Sequence, residues 1–395
     1  MNDLKTPSDA GMLTAGFVSA AVFGSEPPFT DESTDWEALL QEALSQAVFP
    51  LVYTAAEKYL PPEASESWRK LFFNRIGKNI RVSEEHSRAG SLFRSEGIRY
   101  VILKGCSCAH YYPDSQLRIL GDVDIYVDES DFQRASDALI RYGYAMDKDT
   151  GGKHVAFRLE PGLTLELHRK INGIPQSEFG ERCNALLADI IESSVTVESD
   201  GISFEMPDTF HQGLVVLLHS AEHMTRDGLG LRHLCDWAVF YSSLTDEEFS
   251  SLFEAALKSC GVWRFAQLLT LVCVKYLHSP ERIWAGKADE ELVDGIFADI
   301  IGGGNFGTKD KNRLSQIKYI SNRGNSTVDG KGAVTQVFLN IGKKSRAENK
   351  SVIRVVGEYA GMLLTGKRKK DSINTIKKAN SRKMLYKEFH LFEPD

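Results

Sequence analysis

The chain contains no apolar run long enough to cross a bilayer and no basic-then-apolar stretch at its start. Both absences argue against a membrane span and a secretory leader, and leave the cytoplasm as the expected compartment. Cysteine is scarce as well. Six residues (Cys106, Cys108, Cys183, Cys235, Cys260, Cys273) in 395 are too few and too scattered for a disulfide framework, and no C-x-x-C pair occurs. The tightest group, Cys106-Ser107-Cys108-Ala109-His110, has the wrong spacing for a zinc knuckle and reads as small residues packing a helix. Net positive charge is also missing: -7 over the whole chain argues against broad affinity for nucleic acid. What remains is an ordinary globular composition, 42% hydrophobic and 26% charged, with room for two or three domains.

Against that background one stretch stands out, from Tyr100 to His168. Two apolar runs of strand length carry acids: Asp122 and Asp124 open the run Val123, Ile125, Tyr126, Val127, and Glu166 interrupts Leu163, Leu165, Leu167. Successive strand side chains point to opposite faces, so Asp122 and Asp124 share one face while Val123, Ile125 and Val127 fall on the other, toward the core. Glu166 and His168 share a face in the second run. Neighbouring carboxylates repel unless a cation sits between them, and hard oxygen donors suit Mg²⁺ or Mn²⁺. Edge-strand charges kept for solubility are the plainer reading of the same pattern.

The flanking segments favour the metal. Lys104-Gly105 ends a strand expected over 98–103 and leads toward a helix, where a glycine admits a phosphate to the backbone and the lysine adds a point charge. Arg118, on the loop into the acidic strand, is placed to grip a polyphosphate. A helix over 131–142 with apolar Phe132, Ala135, Ala138 and Leu139 stops at Gly143. Lys153 and His154 then begin a strand that pairs antiparallel with the Glu166 strand across Pro161-Gly162; either reaches a triphosphate or an acceptor, or both are solvated hairpin charges.

Taken together, Leu103-Lys104-Gly105, Tyr112-Pro113, Arg118 with Gly121-Asp122-Val123-Asp124, Gly143-Tyr144, His154 with Phe157, and Glu166 with His168 resemble a bacterial family of uncharacterised nucleotidyltransferases within the polymerase-beta-like superfamily. The resemblance is specific over 98–169 and looser downstream. It implies transfer of NMP from an NTP to a hydroxyl or phosphate acceptor, with Asp122 and Asp124 holding Mg²⁺ (or Mn²⁺) and Glu166 as a third carboxylate that activates the acceptor. Lys104, Gly105, Arg118, Lys153, His154 and His168 would then contact the nucleotide. The chain departs from the superfamily in having Lys104-Gly105 where Gly-Ser is usual, and in a wider gap before Asp122. A noncatalytic nucleotide-binding protein with the same fold is one alternative.

Another comes from His219-Ser220-Ala221-Glu222-His223, an H-x-x-E-H pattern that would make a zinc hydrolase if Glu290, Glu291 or Asp294 supplied a third ligand, although a histidine-rich helix lining the nucleotide cleft is the preferred reading. Downstream, Arg232 and Asp236 stand four apart on one helical face, as an exposed or a buried pair. Gly302 to Gly307 matches G-x-G-x-x-G but follows a helical pattern, and reads as a helix-ending loop.

The expected architecture is an α/β (α+β) fold: residues 1–95 an N-terminal helical region whose first thirty residues form an irregular lead, 96–205 a nucleotidyltransferase core with a small mixed sheet, 206–300 a helical domain, and 301–395 a C-terminal helical region. Helices are expected over 35–59, interrupted at Pro50, and over 65–95. A linker or disordered connection is expected over 322–331. The last portion, 367–387, holds nine lysines and arginines against Asp371, as a solvated helix tail or as a contact for RNA, another anionic acceptor or a membrane surface. The acceptor itself stays open among small molecules, proteins and RNA.

Overall fold

The alternation around Asp122 becomes an inner strand of a five-stranded sheet in the computed structural model, which describes residues 7–147, 152–158, 163–310, 313 and 381–393. The Pro161-Gly162 turn, the 322–331 linker and most of the basic tail lie outside the described residues.

In chain order, α1 (Asp9–Phe23) is capped by the Ser8 hydroxyl, which accepts from Gly11 N–H, and ends at Gly24 with φ +70°. The expected irregular lead is therefore a core helix that buries Phe17, Val18 and Val22. Its sequence is apolar on nearly every side, so it shows no stripe against a polar face. Next come α2 (Trp36–Ser45) and α3 (Phe49–Ala56), in whose first turn Pro50 sits. Proline there lacks an N–H that the helix would not have used, so the interruption falls just ahead of Pro50, itself in the first turn of α3. The 34-residue α4 (Pro62–Ser95) follows.

The sheet is built from β1 (Val101–Ile102), β2 (Val123–Tyr126), β3 (Ala145–Met146), β4 (His154–Arg158) and β5 (Leu165–His168), in the order β1-β2-β5-β4-β3. Only the β2–β5 pair is parallel. The single-turn α5 (Cys106–Ala109) lies between β1 and β2, and α6 (Phe132–Tyr142) between β2 and β3. After α7 (Glu178–Leu186), β6 (Val195–Ser199) and β7 (Ile202–Met206) form a separate hairpin. Asp200 and Gly201 both take positive φ at its tip, the conformation a two-residue hairpin turn asks of Asp-Gly. That signal was available in the sequence, between alternating apolar residues.

The helical part comprises α8 (Thr209–Thr225), α9 (Leu231–Ser242), α10 (Asp246–Phe249), a π-helical turn at Ser250–Glu254, α11 (Ala255–Ser259), α12 (Trp263–Leu277) and α13 (Glu290–Gly303). Gly304 (φ +71°) ends α13, so the glycine-rich loop is a helix terminator. No described helix is long and apolar enough to cross a membrane.

Two cores result. One fills the space between the sheet, α6, the hairpin and the far half of α4 around Val82, Ala89 and Phe93. The other joins α1–α3 and the start of α4 to the helices after 208. Helices from opposite ends of the sequence thus share a core: the Ser19 hydroxyl donates to Leu277 carbonyl at 2.6 Å and the Gln46 amide to Ile301 carbonyl at 3.2 Å. A buried carboxylate, Asp299, closes this core by accepting from Arg313 (2.8 and 3.1 Å) and Arg382 (2.7 Å). Arg382, counted above in a solvated tail, is a buried structural residue.

Candidate active site

Strand register assembles the acidic face. The parallel β2–β5 pairing sets Asp124 opposite Glu166 and Tyr126 opposite His168, and the antiparallel β4–β5 pairing sets His154 opposite His168. Asp122, just before β2, falls on the face of Asp124 by the two-residue period. Val123, Ile125 and Val127 are buried on the other side, as the alternation requires. All three carboxylates line a cleft of about 660 Å³ between the sheet and α8–α9, together with Lys104, Gly105, Arg118, Lys153 and His154.

His168 is placed differently from its expected role as a ligand contact. It is fully buried at the base of the acidic face, where Nε2 donates to Asp124 Oδ1 (3.0 Å) and lies 3.3 Å from Glu166 Oε2. It braces the two carboxylates and has no surface with which to touch a ligand. His154 Nε2 stands 3.7 Å from Glu166 Oε1. Lys104 Nζ lies 3.0 Å from Asp124 Oδ1.

These contacts separate the aspartates electrostatically. Burial works against a charge on Asp124, but the Lys104 ammonium and the His168 hydrogen bond outweigh it and hold the carboxyl well below the usual range. Asp122 goes the other way, pushed up by partial loss of water and by the Asp124 and Glu166 carboxylates. Burial disfavours charge on His168 too, yet its bonds to Asp124 and Glu166 raise it. Three carboxylates line this one cleft, and Asp122 is disfavoured as a charge by the other two; their oxygens are donors of the kind a hard divalent cation takes.

The phosphate corner is tighter than the sequence implied. Gly105 has φ +65°, and a Cβ there would fall 2.6 Å from His86 Nε2, so no larger residue fits. The helix after it is the single turn α5, which leaves Lys104 as the main attraction at this corner.

Arg118 is not open to a polyphosphate. It is buried with its fork closed on Asp236, Nε to Oδ1 at 2.8 Å and Nη2 to Oδ2 at 2.7 Å, and Tyr112 also donates to Oδ1 at 2.8 Å. Arg118 therefore takes the aspartate that the four-residue spacing had assigned to Arg232. Arg232 lines the cleft instead, a role that no local pattern signals.

The histidines of the H-x-x-E-H helix do meet, with a partner other than those expected. His219, His223 and His233 bring ring nitrogens within 4.8 Å of one another, and Phe306 packs on His223 and His233. Glu290, Glu291 and Asp294 do not line the cleft; Asp294 is held by Lys275 (2.5 Å) and Tyr276 (2.7 Å) on another face. Gly230 N–H points at His233 Nδ1 (3.3 Å), which puts the lone pair on Nδ1 and the proton on Nε2. That ring offers a donor where zinc needs a lone pair, so the zinc hydrolase fits poorly. Burial and the surrounding cations hold all three rings neutral, His223 down to about 3.

No curated protein matches the chain. A solved structure, an antigenic nucleotidyltransferase-like protein from Paracoccidioides brasiliensis, is similar to it over 51% of this chain and 94% of its own, at 14% identity and a TM-score of 0.34. The family of uncharacterised nucleotidyltransferases matches residues 32–278, which takes in α2 through α12 and both walls of the cleft. That span is well over half of the sequence, and the chain belongs to the uncharacterised nucleotidyltransferase family.

Proposed function

We propose that the protein is a Mg²⁺-dependent nucleotidyltransferase that moves NMP from an NTP to a hydroxyl or phosphate acceptor. The observation that carries this reading is the register of β2 on β5, which sets Asp124 against Glu166 with Asp122 on the same face of an open cleft. In this reaction an acceptor oxygen forms a bond to the α-phosphorus, the bond to the β-phosphate oxygen breaks, and pyrophosphate leaves. Asp122 and Asp124 hold the metal, and Glu166, at the edge of the same donor set, takes the proton of an acceptor hydroxyl. Bound Mg²⁺ supplies the charge that offsets the build-up on the attacked phosphoryl group and the leaving oxygen.

The remaining residues position these three. His168 fixes the rotamers of Asp124 and Glu166 from the base of the acidic face, and Lys104 keeps Asp124 ionised while reaching toward the phosphates. His154 and Lys153, on the rim at the start of β4, face whatever enters beside Glu166. The acceptor is a small molecule, a protein or an RNA.

The test is to incubate the protein with each α-labelled NTP, Mg²⁺ and cell extract, and to find which fraction takes label. Transfer with wild type and none with Asp124→Asn supports the reading. Label that appears equally with Asp124→Asn, or wild type that transfers label from none of the four NTPs, sinks it.

A further inference from the structure

Arg232 is the unbalanced charge of the cleft. It projects from α9 into the lining, its Nε is buried with no hydrogen-bond partner, and Nη1 has only a long 3.4 Å contact with Ile119 carbonyl. The carboxylate four residues on, Asp236, is filled by Arg118 and Tyr112. Among the described residues no other carboxylate pairs with Arg232. The neighbouring cations differ: Lys104 lies on Asp124, Arg226 pairs with Glu222 at 3.1 Å on the exposed side, and Lys153 stands on the open rim.

Its position is specific. A Cβ on Gly121 would lie 3.9 Å from Arg232 Nη1, so the guanidinium hangs over the residue that precedes Asp122. Phe306 braces it from the side, its ring centroid 5.3 Å from the guanidinium carbon. Arg232 is half-buried with its Nε out of water, and the carboxylate nearest it already holds Arg118, so an anion entering the cleft gives this guanidinium the close partner it lacks. Its planar fork matches two phosphoryl oxygens better than an ammonium does. The three rings beside it carry no charge, so they add N–H donors without repelling it.

We infer that Arg232 is the anchor for a phosphoryl group in this cleft, and that on the nucleotidyl-transfer reading it holds the β- and γ-phosphates that leave as pyrophosphate. This rests on that reading for the identity of the ligand, since a phosphorylated acceptor offers the same oxygens. It gives Arg232 the part that the sequence had assigned to Arg118.

Calorimetric titration separates the possibilities. Wild type, Arg232→Gln and Arg232→Lys are titrated, with Mg²⁺, against non-hydrolysable α,β-methylene analogues of the four NTPs, against the four NMPs, and against pyrophosphate. Arg232→Gln is expected to bind the triphosphate analogue and pyrophosphate about 10- to 100-fold more weakly, the loss of one charge-assisted fork, with NMP affinity kept within about twofold. Arg232→Lys should fall between. Thermal melts check that the variants fold, and if Arg232→Gln does not, equal triphosphate affinity in Arg232→Lys and wild type counts against the proposal.

Unchanged triphosphate affinity in Arg232→Gln overturns the inference and leaves the nucleotidyl-transfer reading standing. So does an NMP loss as large as the triphosphate loss. If wild type binds pyrophosphate through Arg232 but no triphosphate, the anchor survives as a site for a phosphorylated acceptor and the transfer reading fails. Wild type that binds none of the probes defeats both.

Discussion

The two walls of the cleft handle charge in opposite ways. On the sheet wall each carboxylate has a place set by strand register, and Asp124 already has Lys104 and His168 for company. On the helical wall two arginines compete for Asp236; Arg118 wins both oxygens and Arg232 is left facing the cleft. The first wall is an acidic surface short of one cation, and the second is a basic surface short of one anion. On the proposed reading, a metal-bound phosphate chain would supply both.

The strongest way to break this comparison is to neutralise the sheet wall. Asp122→Asn or Asp124→Asn should lower transfer by about a thousandfold or more and weaken Mg²⁺-dependent NTP binding. Glu166→Gln should lower transfer as far but leave much of the binding, because its contribution belongs to the transition state. Labelled transfer and calorimetry read both, and a Glu166 variant that loses NTP affinity as completely as the Asp variants would refute the division.

The helical wall gives the next largest effect, in stability. Asp236→Ala leaves Arg118 buried without its partner and should cost about 3–5 kcal/mol in urea unfolding, as for other broken buried pairs. Arg232→Gln removes a charge that has no partner to lose, and its midpoint should stay level or rise. Equal losses in the two variants would mean that the arginines are not different after all.

A pH series sharpens the contrast further. The rings of His219, His223 and His233 are depressed, so the unfolded chain binds protons more readily than the folded one. Stability therefore falls as pH drops below the ordinary histidine value of 6.5, for His223 continuing down to about 3. His223→Gln should flatten the dependence across that window by up to about 1.4 kcal/mol per pH unit, read from urea midpoints. A slope identical to wild type would show that the ring is not held neutral. Smallest of all, Arg226→Ala removes an exposed pair with Glu222 and should change stability by less than about 0.5 kcal/mol.

The difference between the walls also explains what could be read in the sequence. Asp122, Asp124 and Glu166 were legible because a strand has a period of two and an acid on it leaves an unmistakable irregularity. The helical wall depends on which residue of one segment meets which of another. Arg118 and Asp236 lie 118 positions apart, and nothing within the reach of a helical turn distinguishes that pairing from Arg232 with Asp236. The same holds for His233, which completes the histidine cluster from α9, across the break that separates it from α8. His168 was correctly placed on the face of Glu166, but its burial depends on the neighbours that other segments bring to it, Asp124 from β2 and the His154 ring from β4. Helix α1 was missed for the opposite reason: a segment apolar on all sides carries no contrast to read.

The bond from Ser19 to the carbonyl of Leu277 links residues 258 positions apart. At about 5–20 residues per second, a ribosome needs roughly 10–50 s to make the chain between them. Through that interval Phe17, Val18 and their neighbours have emerged with their partner helix still unsynthesised. The nascent chain is thus expected to draw on a holding chaperone early in translation, and to complete its N-terminal layer last although that layer is made first.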